Sequence, residues 1–303
     1  MTTDKLNNKF GISNTLEFST GLGGLPQVCI SNSFATATIS LHGAQILSFI
    51  PHNQTDILWV SEKSLFRPDK AIRGGIPICW PWFNAHPTDT SKPSHGFARL
   101  SEWSVVSTKV IPDGATQITF ELQSNDKTKQ LWPHDFRTTY TVTIGNILTV
   151  ALTTHNTGNE AFIVTSALHT YFNISNIENV TIHGLQNSIF LDSLTNCEEK
   201  ETSPITIDRE IDRVYLDHSG NCLINDNGLR RSIKITKQGS NSTVVWNPWI
   251  KKSERMSDFG NQEYNSMLCL ETTNTHDDAI QIQPNHTHTL SAIISINQEK
   301  YKQ

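Results

Sequence analysis

The side chains able to move protons or hold an anion fall at a few places in this sequence. His169 stands in the apolar run Ser166-Ala167-Leu168-His169-Thr170-Tyr171-Phe172, and Glu271 closes the run Met267-Leu268-Cys269-Leu270. A carboxylate beside apolar neighbours is costly unless it is paired, exposed or used. Burial there raises its pKa toward neutrality, which suits a general base. Asp212 begins Asp212-Arg213-Val214-Tyr215. Between Ala71 and Asn84 the chain combines two glycines, two prolines, two tryptophans and Phe83, with Arg73 near its start; Ser94-His95-Gly96-Phe97-Ala98-Arg99 follows. Such a stretch is poor helix and poor regular strand. It reads as a rigid, aromatic-lined loop that aims two guanidinium groups. Acid and base groups between aromatic walls suit a sugar. Two planar guanidinium forks suit a phosphate.

Taken singly, each of these residues has a plainer account. His169 can be a core histidine held by one hydrogen bond, Glu271 a strand end in water, and Asp212-Arg213 a surface ion pair. The Pro/Trp-rich loop can be a corner that closes a β-sandwich. His286 and His288 alternate on one strand face but have no third ligand nearby in the sequence, so no metal site is expected. Gly21-Leu22-Gly23-Gly24 is too short for a dinucleotide fingerprint, and neither a phosphate loop nor a G-x-S-x-G elbow occurs.

The elements that must carry these groups read as strands. Short β-branched runs bounded by Gly, Pro and Asn recur along the chain: 28–30, 35–41, 45–50, 103–106, 117–122, 136–144, 147–152, 161–172, 180–183, 189–191, 211–215, 222–224, 232–237, 242–247, 267–271 and 290–296. Gly145-Asn146 marks a hairpin turn. In the 166–172 run, Leu168, Thr170 and Phe172 share one face, and His169 and Tyr171 the other. Residues 196–201 read as a charged loop, and 251–261 as a polar stretch with room for one helical turn. No helical period is sustained for several turns. Many short strands with regular turns predict an all-β sandwich or barrel in a single domain.

Bulk properties narrow the function classes. The 303 residues carry a net charge of −5, and the pI is near 6.2. With no basic run longer than a pair, neither nucleic acid nor an acidic membrane surface is an expected partner. Five scattered cysteines with no C-x-x-C pair point to reduced thiols and a cytoplasmic location. The polar N-terminus lacks an apolar signal core.

In family order, the chain carries Arg73-Gly74-Gly75-Ile76-Pro77, Trp80-Pro81-Trp82-Phe83, His95-Gly96-Phe97-Ala98-Arg99, Ala167-Leu168-His169-Thr170-Tyr171-Phe172, Asp212-Arg213-Val214-Tyr215, Trp246-Asn247-Pro248-Trp249 and Leu268-Cys269-Leu270-Glu271. In these pieces it resembles the glucose-6-phosphate 1-epimerases, or hexose-6-phosphate mutarotases, of the galactose mutarotase-like superfamily. The resemblance spans roughly residues 25 to 297. It leaves an N-terminal segment, 1–24, and a C-terminal tail, 298–303. It implies a β-supersandwich with the active site on its concave face, His169 as general acid and Glu271 as general base. His95 and Asp212 would hold the sugar, and Arg73 and Arg99 the phosphate of a hexose 6-phosphate. No metal or organic cofactor is implied, and a monomer is expected. Residues 174–206 show nothing specific to the family. The competing readings are an aldose 1-epimerase acting on unphosphorylated sugars, a non-catalytic carbohydrate-binding protein on the same fold, and a β-sandwich with no ligand.

Overall fold

The computed structural model describes residues 1–298; of the expected tail, residues 299–303 lie outside the described residues. Two large antiparallel sheets face one another. The outer sheet runs, in spatial order, Val180–His183, Cys222–Asp226, Arg231–Gln238, Thr287–Gln298, Leu148–Asn156, Phe136–Ile144, Thr116–Gln123 and Ser104–Val110. The second sheet runs Cys197–Lys200, Ile189–Asp192, Ile211–Tyr215, Ser242–Asn247, Met267–Asn274, Ser166–Leu168 and Ile78–Cys79, with Tyr171–Asn173 also paired to Met267–Asn274. A four-stranded sheet, from Leu16–Thr20 to Ile46–Pro51, adds to the same core.

Strand periodicity explains the packing. Phe136–Ile144 and Leu148–Asn156 alternate between buried and more accessible positions along their whole length. One face therefore meets the core and the other meets water. Ser242–Asn247 and Met267–Asn274 are buried at every position. Leu268, Leu270 and Val245 enter the core between the sheets. The alternate residues Met267, Cys269, Val244 and Trp246 join Trp59, Tyr171 and Phe259 in a second cluster on the far face. That second, concave face carries the candidate site.

Four local features differ from the sequence expectations. Thr3–Phe10 is a short helix that buries only Leu6 and Phe10. Leu16–Thr20 pairs with Pro26–Ser31, so residues before 25 also build a sheet. Cys197–Lys200, expected as a loop, is an edge strand exposed at all four positions, with no buried face to give it a period. The helical turn expected within 251–261 is Trp249–Ser253.

Candidate active site

His169 is placed by backbone ladders on both of its sides. Leu168 pairs with Thr272, and Tyr171 with Cys269. The same register sets His169 opposite Glu271. On the other side the His169 N–H donates to the Pro77 carbonyl, and the Tyr171 N–H to the Gly75 carbonyl. The Arg73-Gly74-Gly75-Ile76-Pro77 segment thus lies along the His169 strand as a short additional rung set. Its other side packs against Ile46 so closely that glycine is required: at Gly75, with φ +64°, a Cβ would stand 2.0 Å from the Ile46 carbonyl oxygen. Gly96, with φ +71°, is equally tight against the Trp80 carbonyl, and this contact closes the loop that delivers His95.

These elements surround a cavity of about 230 Å³. Its wall contains Arg73, His95, His169, Asp212 and Glu271, together with Phe83, Asn84, Tyr171, Trp246, Lys252 and Met256. The structure therefore gathers five of the six candidate residues around one space. Arg99 does not line it; one of its terminal nitrogens donates to the Ser94 carbonyl. Its Nε is buried without a protein partner, and its charge acts on His95, His169 and Glu271. The pair His286 and His288 lies elsewhere: His286 Nδ1 contacts the Pro284 carbonyl, and His288 Nε2 the Asn274 amide oxygen.

His169 Nε2 is 3.4 Å from Glu271 Oε1. The imidazole stacks on Tyr171 at 4.8 Å between centroids and 7° between planes. Trp246 meets it edge-on. Glu271 is 1% exposed. Burial, and then the neighbouring Asp212 carboxylate, push its pKa well up, against the opposing charge of Arg99. Burial pushes His169 the other way, helped by His95, Arg99 and Arg73. Burial thus disfavours charge on both members of the pair, favouring a protonated Glu271 and a neutral imidazole. Glu271 Oε2 and His169 Nδ1 are buried without partners.

His95 adopts a left-handed backbone, with φ 61°. Its Nδ1 accepts the Asn84 N–H, so its ring proton sits on Nε2 and the ring is a donor there. Burial, then Arg99 and Arg73, push its pKa down to about 3. It stays neutral through the physiological range. Asp212 lies opposite Trp246 in the strand register. Burial raises its pKa, against the nearby Lys252, whose Nζ is 3.7 Å from Asp212 Oδ2 and 3.2 Å from Glu210 Oε1.

Arg73 is held more firmly than the sequence suggests. Its Nε and Nη2 donate to Asp258 and its Nη1 to the Tyr171 hydroxyl. Lys252 and Asp258 belong to the polar stretch 251–261, where neither spacing nor hydropathy distinguished them from surface charge. The stretch is pinned over the site by Glu263, which accepts from the Ser61 hydroxyl and from the Glu62 and Gly260 N–H groups.

Comparison with known proteins agrees with this architecture. Residues 26–295 match the family model described as aldose 1-epimerase. A protein of Escherichia coli (strain K12) that carries the provisional name glucose-6-phosphate 1-epimerase is 36% identical over 253 residues, 83% of this chain and 84% of its own. A similarly named protein of Cenchrus ciliaris is 37% identical over 245 residues, 78% of this chain and 74% of its own. The crystal structure of a provisionally assigned mutarotase from Salmonella typhimurium superimposes with a TM-score of 0.89 at 32% identity, covering 96% of each chain. The expected mutarotase-like β-sandwich is therefore the fold found, and the chain belongs to the aldose 1-epimerase family.

Proposed function

We propose that the protein interconverts the α and β anomers of a hexose 6-phosphate, D-glucose 6-phosphate first, by acid–base opening and reclosure of the ring. The observation that carries this reading is the His169–Glu271 pair. Two titratable groups stand 3.4 Å apart at the wall of a cavity of about 230 Å³, and burial drives their pKa values in opposite directions.

The pair reaches its working form when the proton on Glu271 passes to His169. Glu271 then removes the anomeric hydroxyl proton while His169 Nε2 protonates the ring oxygen. The C1–O5 bond breaks to give the open aldehyde, C1 turns about C1–C2, and the reverse transfers close the other anomer. His95 donates through Nε2 and Asp212 accepts, together fixing sugar hydroxyls. Trp246 and Phe83 supply apolar walls. Arg73 takes the phosphate from the cavity wall, and Arg99 adds positive potential to it. The five free thiols and the lack, among the described residues, of any helix long and apolar enough to cross a membrane support placing this reaction in the cytoplasm.

One observation favours a second reading, epimerisation of an unphosphorylated aldose. Arg73 is already neutralised by Asp258. Anomer exchange followed by NMR, with glucose 6-phosphate and glucose side by side, decides between the two. Acceleration of the phosphate alone supports the first reading. Equal acceleration of both sugars removes the phosphate assignment, and acceleration of neither overturns the proposed reaction on these sugars.

A further inference from the structure

We infer that Cys269, His169 and Glu271 form a site for a thiophilic divalent cation, zinc above all, and that a bound ion closes the cavity to sugar. Cys269 and Glu271 are two apart on one strand, so they share its concave face. The neighbouring strand sets His169 across from Glu271. The three groups thus converge from two adjacent strands, and their donor atoms lie within 4.8 Å of one another. Tetrahedral zinc binds sulfur at about 2.3 Å and nitrogen or oxygen at about 2.0–2.2 Å, so small side-chain rotations bring all three into its shell.

A second observation points to a ligand here. Glu271 is 99% buried by its 1% exposure, and its Oε2 has no hydrogen-bond partner. His169 Nδ1 is likewise unpartnered, and both side chains line the cavity. Charge balance also fits. A thiolate, a carboxylate and a neutral imidazole cancel a divalent ion, which matters in a site enclosed by Tyr171, Val244 and Trp246. Asp212 on the same wall adds negative potential, whereas Arg73 and Arg99 oppose the cation. A thiol and a carboxyl bind such an ion only when deprotonated, so affinity should rise with pH.

The ion would occupy the imidazole and the carboxyl that the proposed reaction uses. Competition with sugar therefore rests on that reaction, whereas metal binding stands without it. Cobalt(II) is the probe, added to a Cys29→Ser/Cys197→Ser protein so that the exposed thiols do not contribute. The expected result is a near-ultraviolet thiolate-to-cobalt charge-transfer band that saturates at one equivalent and is bleached by zinc. The band should vanish in Cys269→Ala and Cys269→Ser, with folding checked by near-ultraviolet circular dichroism, and weaken in His169→Ala. No band, or a band of full strength in folded Cys269 variants, overturns the site. Zinc should raise the KM of anomer exchange and leave kcat unchanged; zinc that leaves KM unaltered overturns the closure of the cavity. A band without anomer exchange would refute the proposed reaction alone, and exchange without a band would refute the metal site alone.

Discussion

The two large sheets bury similar residues for different ends. In the outer sheet, Phe136–Ile144 and Leu148–Asn156 alternate between core and water. In the facing sheet, Met267–Asn274 is covered on both sides. Both sheets hide polar atoms without partners, but the kinds differ. Each hides a guanidinium Nε, that of Arg231 in the outer sheet and that of Arg213 in the facing sheet; beyond these the outer sheet hides the hydroxyls of Tyr140 and Thr138, and the facing sheet a carboxyl and an imidazole at Glu271 and His169. An orphaned hydroxyl only costs stability. An orphaned titratable pair also costs stability, and in the proposed reaction it would exchange protons with a bound sugar.

Substitutions on the two sheets should therefore separate turnover from stability. Glu271→Gln should lower kcat by about 10²–10⁴-fold and leave the unfolding midpoint unchanged or higher, because a buried acid is removed; full activity would dismiss Glu271 as the base. Phe120→Ala, within the core and fully buried, should cost about 3–5 kcal/mol of stability, with exchange per folded molecule unaltered. A loss of turnover there, measured at matched folded fraction, would break the division between the sheets.

Smaller effects sharpen it. Arg73→Ala removes a charge-assisted contact of about 1.5–3 kcal/mol. It should raise the KM for glucose 6-phosphate about 10- to 100-fold and spare any turnover of glucose. An equal loss for both sugars would make Arg73 a structural residue held by Asp258.

The last effect is on stability against pH. Glu271 is raised above its usual 4.5 by burial. The folded protein then binds more protons than the unfolded chain above pH 4.5. Stability contributed by the protonated acid is complete below that value and is lost as pH rises through the folded pKa, at up to about 1.4 kcal/mol per pH unit. His95 has the opposite sign: lowered to about 3, it favours the folded state above its usual 6.5 and loses that contribution as pH falls from 6.5 toward 3. Denaturant titrations of wild type and Glu271→Gln should diverge above pH 4.5. Parallel curves would mean that Glu271 is ionised in the folded protein.

How legible these features were follows from what each residue packs against. The outer strands announce themselves because one face is wet. The concave face was legible through His169 and Glu271, whose polarity breaks otherwise apolar runs. Thr3–Phe10 escaped because only two of its residues reach the core, too few to set a helical period. Cys197–Lys200 escaped because an exposed edge strand has no apolar face. Lys252 and Asp258 escaped because their task is to meet Asp212 and Arg73, partners distant in sequence. Arg99 was found with its motif, but its place outside the cavity wall depends on a loop turn that composition does not encode.

The rungs joining residues 73–77 to the His169 strand have one more consequence. The Gly75 and Pro77 carbonyls accept the Tyr171 and His169 N–H groups, so the offset between Arg73 and the proton-transferring pair is graduated in backbone repeats, about 3.3 Å each. In the proposed reaction the site would then act as a ruler between a charged end and a reacting carbon. A pentose 5-phosphate, one carbon shorter, would bring only one of its ends to the mark.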